Sequence, residues 1–479
     1  MLKINDTNLI DIENSSVLTN TPMVLIKNGD RDIAIPIMSY GEKITTEVVK
    51  EPTYYICTSV EDTTWTGKKL INTDNNKYTV SDEVVTGIRS TIYAPEIGHI
   101  YSNNTDIKID IPIGQIPNKL YSTGYNSSYQ LGTYPSTNNI NVLTKTYSDD
   151  IDIVYANSYL HTMAIDARGR MWGVGSNGKG QLGLGHTATT PIFTEIKGRL
   201  WKSVIAGANY TIAVDIYDRV WTCGTNGNYA LGIGSDDTAA YVTTFQDTGV
   251  SKALSVGMWN SHAMVLDNGG DLYACGLDEY GELCTGSVNT LLTTFTKVPK
   301  ISVGGVNPVW SNVYCGKNFT VLMDTDGKLY SCGLNSSGQL GIGSVTNQSN
   351  VVEVGGTDKI RDLRFIKVAV GEAHVLAIDT NNDLWVWGEG GNGRKGDGST
   401  TDVKSPTKIT TFKCKDISAG RYHSVAIDMD GNIWTAGQGA QGQLGNGGTS
   451  AVNTFTKIDG GGWDKLGGSR GQSTFAFKE

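Results

Sequence analysis

The fifteen residues Asn118–Gly132, "NKLYSTGYNSSYQLG", return as "GKLYSCGLNSSGQLG" at Gly327–Gly341, with eleven of the fifteen identical. Each copy is a short apolar run followed by a glycine-punctuated loop around one leucine. Self-similarity at a period of about 20–50 residues is the signature of repeat architectures. Aligning the glycine that opens the loop gives Gly124, Gly175, Gly224, Gly276, Gly333, Gly388 and Gly437, seven copies spaced 49 to 57 residues apart.

Six copies carry a complete hairpin ahead of that glycine: "HTMAIDARGRMWGVG", "YTIAVDIYDRVWTCG", "HAMVLDNGGDLYACG", "FTVLMDTDGKLYSCG", "HVLAIDTNNDLWVWG" and "HSVAIDMDGNIWTAG". An apolar run ends in Asp166, Asp215, Asp267, Asp324, Asp379 or Asp428. Three residues later stands Gly169, Asp218, Gly270, Gly327, Asn382 or Gly431, types that tolerate positive φ, so a left-handed residue closing the turn is predicted. The Asp side chain is expected to bond backbone amides two or three residues along. A second strand follows with Trp172, Trp221, Tyr273, Tyr330, Trp385 or Trp434, and the small and apolar neighbours suit a sheet buried on both faces.

The loops "GSNGKGQLGLG", "GTNGNYALGIG", "GLDEYGELCTG", "GLNSSGQLGIG" and "GQGAQGQLGNG" put Leu182, Leu231, Leu283, Leu340 and Leu444 where an apolar plug belongs. In "GEGGNGRKGDG" that place is taken by Lys395, so its blade is expected to be the least well anchored. The outer segments "IFTEI", "TFTKV", "PTKI" and "TFTKI" alternate as half-exposed strands do.

From about Asn118 to Glu479 these composite motifs resemble the regulator-of-chromosome-condensation repeat family. The resemblance implies an all-β, seven-bladed β-propeller spanning residues 116–479. The C-terminal "WDKLGGSRGQSTFAFKE" reads as the first half of a repeat, and "NKLYSTGYNSSYQLG" supplies the second half. The ring is therefore expected to close by pairing its N- and C-terminal segments, with Phe475 beside Tyr121, which would remove exposed sheet edges. Residues 1–115 hold no copy of the repeat. "MVLIKNGDRDIAIPI", "PTYYICTSV" and "STIYAPEIGHIYSNNTDIKIDIPIGQ" read as strands of a small β-rich attachment domain of no recognised family.

The 479 residues carry a net charge of −9, and no Lys/Arg run offers a nucleic-acid footprint, so protein or glycan partners fit better. The opening "MLKINDTNLIDIENSSV" is acidic where a secretory signal is basic, and no apolar run reaches the ~18 residues of a membrane span. Of the seven cysteines none forms a CxxC pair, and Cys223, Cys275 and Cys332 share one repeat position, which reads as apolar packing and not as disulfides.

His161, His262, His374 and His423 also share one repeat position. A zinc site needs ligands converging at about 2.0 Å, and equivalent positions in separate blades stand too far apart, so scaffold imidazoles bonding nearby backbone are expected. "DTDGK" and "DMDGN" lack the remaining ligands of a calcium loop. No nucleophile–base arrangement stands outside the repeat. The reading is therefore a non-enzyme without cofactor or metal. The loops ahead of each hairpin diverge and should gather on one face, where Tyr159, Trp259, Asn260, Lys317, Glu372, Arg421, Tyr422 and Arg470 are the candidate binding residues.

By analogy of layout, the expected function is a phage tail or tailocin receptor-binding or baseplate-associated component. It would bind a bacterial surface protein or glycan, meet other tail proteins through its N-terminal domain, and reside in a virion or extracellular particle. The alternatives are a guanine-nucleotide exchange factor for a small GTPase, which is the family's eponymous activity, and a propeller inhibitor of a secreted enzyme.

Overall fold

The computed structural model divides the chain into two compact units, Met1–Ile116 and Pro117–Glu479. It describes residues 119–146, 153–157, 159–166, 168–234, 241–259, 261–355, 362–458, 461–468 and 470–478, and the backbone of seven earlier strands. In the first unit Met23–Asn28 and Arg31–Pro36 form an antiparallel hairpin. A five-stranded antiparallel sheet follows in the order Lys77–Ile88, Thr64–Asp74, Tyr54–Val60, Ile100–Ser102, Lys108–Ile109.

The second unit is an all-β propeller. One sheet illustrates the plan: Trp201–Ala206, Tyr210–Asp215, Val220–Thr225 and Tyr241–Asp247 pair antiparallel in chain order. Every residue of Tyr210–Asp215 is buried, and so is every residue of His262–Asp267, His374–Asp379 and His423–Asp428. A strand covered on both faces needs no polar alternation, which is why these runs read as near-continuous apolar sequence. The outer strands, such as Val452–Lys457, keep one face to solvent.

Five four-stranded sheets stand separately, where seven separate ones were expected; the remaining sheet has seven strands. They are joined because Val403–Ala419 runs as one 17-residue strand, pairing with Asp383–Gly388 at one end and with His423–Asp428 at the other. Its middle, "KITTFKCKD", contains no glycine or proline to break it, whereas "KGR", "DTG" and "DGGG" interrupt the matching connections elsewhere.

The fifth separate sheet is built from both ends of the propeller, in the order Trp463–Leu466, Ser473–Lys478, Lys119–Gly124, Ile140–Lys145. Ser473 pairs with Gly124, Phe475 with Ser122 and Ala476 with Tyr121. The core lies between sheets. Leu120, Leu131, Phe475 and Phe477 pack against Ala164 of the next sheet, and Met163 and Leu182 pack against Trp201, Val204 and Ala213 of the one after. The plug leucines Leu131, Leu182, Leu231, Leu283, Leu340 and Leu444 are fully buried, each stabilising by roughly 1.5–3 kcal/mol.

The six hairpin turns have the left-handed residue where it is predicted, with φ between 60 and 82° at Gly169, Asp218, Gly270, Gly327, Asn382 and Gly431. The Asp side chains reach farther than expected, because Oδ1 accepts from the amides two and four residues on: Tyr217 and Arg219 for Asp215, Asn381 and Asp383 for Asp379. In five hairpins Oδ2 also accepts from the aromatic of the second strand, Trp172, Trp221, Tyr330, Trp385 or Trp434, at 2.8–3.3 Å. The cysteine expectation needs one correction. Cys332 is bonded in a disulfide to Cys284 of the preceding sheet's loop, the two lying in one core cluster; Cys223 and Cys275 are free and buried as expected.

Candidate functional site: the central loop cavity

Each propeller hairpin is preceded by a tight loop, such as Ala206–Asn209 ahead of Tyr210, and these loops crowd together on one face. Between them lies a cavity of about 220 Å³ lined by Tyr159, Trp259, Lys317, Glu372, Arg421 and Arg470, with Leu160 and the Ala206–Asn209 loop completing the wall. Six of the eight sequence candidates therefore meet in one place. Tyr422 stands outside that wall, and Asn260 lies outside the described residues.

The charged groups are organised around Glu372, whose side chain is 8% exposed. It accepts from Lys317 Nζ at 2.9 Å and from Arg421 Nε at 2.7 Å. The Lys317 amide donates to the Glu372 carbonyl at 3.0 Å, tying two successive loops together. Burial alone would raise the Glu372 carboxyl, but the Arg421 and Lys317 hydrogen bonds outweigh it and hold the group below the usual carboxylate range. Two guanidiniums, those of Arg421 and Arg394, each lie 4.8 Å from the Tyr422 ring centre.

Arg470 is different. Its guanidinium sits 5.4 Å from the Trp259 ring centre, and its Nη1 is buried with no hydrogen-bond partner. Among the described residues it makes no ion pair.

Two buried groups went unread in the sequence. Arg394 forms a two-pronged pair with Glu389 at 2.9 and 3.1 Å; the only signal was a basic residue inside "GEGGNGRKG". Glu282 stands where Gln130, Gln181, Gln339 and Gln443 stand in other copies; its Oε2 accepts from the Tyr280 amide at 2.7 Å, and its Oε1 is buried without a partner. Burial pushes its carboxyl up to about 7.

The four repeat histidines are scaffold, and each bonds a hydroxyl about fifty residues on, in another sheet for three of them and, for His374, in the same seven-stranded sheet. His161 Nε2 lies 3.1 Å from Thr211 Oγ1, which donates to the Gln181 carbonyl at 2.7 Å. His262–Thr320–Glu282, His374–Ser424–Arg394 and His423–Thr474–Gln443 repeat the arrangement. The hydroxyl spends its one proton on the carbonyl, so it must accept from imidazole, which fixes the Nε2–H tautomer. Among the described residues no cluster of three or more His, Cys, Asp or Glu could hold a metal.

Residues 119–475, well over half the chain, match the family model described as the RCC1-like domain. The chain belongs to that family. This RCC1-like chain is 32% identical over 252 residues to the ultraviolet-B receptor UVR8 of Arabidopsis thaliana, covering 52% of this chain and 56% of that one. It is 30% identical over 149 residues to the secretion-regulating guanine nucleotide exchange factor of Mus musculus, covering 31% of this chain and 30% of the other. The chain thus spans about half or less of the curated relatives it matches. Among solved structures, Prp20p of Saccharomyces cerevisiae aligns with a TM-score of 0.65 at 21% identity, covering 76% of this chain and 92% of the other. Human WBSCR16 aligns with 0.66 at 17% identity, covering 76% and 99%. At those identities the likeness establishes the fold alone.

These findings overturn the tail-component expectation. The curated relatives include a plant receptor, mammalian exchange factors and a mammalian protein kinase, not virion parts, so the bacterial surface receptor, the tail and baseplate partners and the virion location fall together. The analogy failed because a propeller beside a smaller β-unit is a layout that many functions share.

Proposed function

We propose that this chain is a non-enzymatic regulator of the exchange-factor type, a propeller that docks a small GTPase on the face bearing the Lys317–Glu372–Arg421 network. The observation that carries the reading is the meeting of Tyr159, Trp259, Lys317, Glu372, Arg421 and Arg470 on one rigid face, in a chain whose relatives include named guanine nucleotide exchange factors. Tyr, Trp and Arg are the side chains that most often dominate protein interfaces. A GTPase releases nucleotide when a partner stabilises its empty form, which requires binding energy and no reacting group on the partner. In the same reading the seven-stranded sheet comprises two blades fused through Val403–Ala419, which makes seven blades in all. The unit before residue 116 serves as an attachment domain.

The test is release of labelled GDP from a panel of small GTPases that includes Gsp1p, the protein named with Prp20p. Acceleration of at least tenfold for one member, lost in Arg421→Ala, is the expected result. A folded protein that leaves GDP release unchanged across the panel overturns the reading.

A further inference from the structure

The unpaired guanidinium at the centre of the loop face points to a ligand. We propose that the central cavity is a binding site for a small, multiply charged oxyanion, a phosphate or a dicarboxylate, held by Arg470 with Arg421 and Lys317 beside it. The inference does not depend on the exchange-factor reading.

Four observations converge. The cavity is lined by three cations and one carboxylate, Lys317, Arg421 and Arg470 against Glu372, so it carries an excess of positive charge. Glu372 is already engaged by both Lys317 and Arg421, and Arg394 is taken by Glu389. Neither acid is left for Arg470. Its buried Nη1 has no partner, and desolvating a charge without one costs several kcal/mol. Tyr210, Cys315 and His262, the described groups that interact electrostatically with it, are held neutral by burial, so none of the three supplies a counter-charge.

Size and shape set the ligand class. At about 220 Å³ the cavity is smaller than the roughly 300–1,000 Å³ typical of sites for drug-sized ligands, so a compact anion fits and a whole nucleotide does not. The Trp259 ring, its centre 5.4 Å from the Arg470 guanidinium, adds a cation–π contact on one side, and the planar guanidinium suits an oxyanion.

The experiment is titration calorimetry on the full chain at constant ionic strength, with inorganic phosphate and with succinate as separate probes. The expected result is saturable binding of at least one probe at submillimolar Kd, weakened at least tenfold in Arg470→Gln. Phosphate alone identifies a phosphate site and succinate alone a carboxylate site; either supports the proposal. Ala208→Glu places a carboxylate in the same cavity wall and retains Arg470; it is expected to abolish anion binding while raising thermal stability, so the test stands even if Arg470→Gln folds poorly. No saturable binding of either probe at millimolar concentration, or undiminished binding in both variants, overturns the proposal.

Discussion

A histidine that can titrate in the unfolded chain but not in the folded one makes stability depend on pH, and four of the described residues are such histidines. Burial lowers His161, His262 and His423 to about 3 and His374 well below its ordinary value. Unfolded histidine titrates near 6.5. Between those values the unfolded chain binds more protons than the folded one, so stability is full above pH ~6.5 and falls as the pH drops. Glu282 opposes this: its carboxyl is raised to about 7, so the folded chain keeps a proton that the unfolded one loses above pH ~4.5. Four groups against one leaves a slope of up to about 4 kcal/mol per pH unit between pH 4.5 and 6.5. The urea midpoint should therefore fall steeply from pH 7 to pH 5, and His423→Gln, whose amide can still donate to Thr474, should flatten that slope. A midpoint that is level or rising on acidification would contradict buried neutral imidazoles. The sequence exposed these histidines through their shared repeat position, but their hydroxyl partners lie about fifty residues on, in the next copy of the repeat. Reading one copy at a time cannot show a bond that exists only between copies.

Among the elements, the glycine loop of the sixth copy departs most from its siblings. Lys395 occupies the leucine place and is fully buried, pairing with Asp397 at 2.5 Å. In the blade expected to be the least well anchored, this loop carries two ion pairs, Lys395–Asp397 and Arg394–Glu389. The sequence showed the missing leucine, but not that Asp397, two residues on, would replace apolar contact with charge. Buried pairs seldom exceed the value of well-packed apolar side chains, while leaving one partner alone is costly. Lys395→Leu with Asp397→Ile, the pair found as Leu340 and Ile342, should thus match or exceed the parent by up to about 2 kcal/mol in denaturant unfolding. Lys395→Ala alone should lose about 2–3 kcal/mol, since it opens a cavity and strands Asp397. A parent clearly more stable than the double variant would show the charges to be the better filling. The hairpins were more legible, because the left-handed residue follows from residue type alone; the Asp-to-indole bond escaped because it needs the strand register.

For the whole molecule, the decisive fact is that one sheet is assembled from segments some 350 residues apart. The repeat told this from the sequence, since a half-copy at each end has one way to become whole. Function was less legible: the loops that line the cavity are where the copies differ, so no periodicity instructs their reading. Chain closure also makes the sharpest prediction. The strand Ser473–Lys478 pairs along its length with Lys119–Gly124 and seats Phe475 and Phe477 against Leu120 and Leu131. Removing residues 465–479 deletes both aromatics, each about 3–5 kcal/mol even as a single truncation to alanine. It also bares the edge of Lys119–Gly124 to other chains. That loss is comparable to the whole stability of an ordinary domain, about 5–15 kcal/mol. The truncated chain should therefore aggregate or lose its cooperative melt, seen by light scattering and calorimetry. Phe475→Leu, which keeps the strand and most of the apolar volume, should keep the parent's oligomeric state with a lowered Tm. A truncated chain that keeps the parent's oligomeric state and melting curve would mean that the joint between the two ends of the propeller contributes nothing to holding the ring.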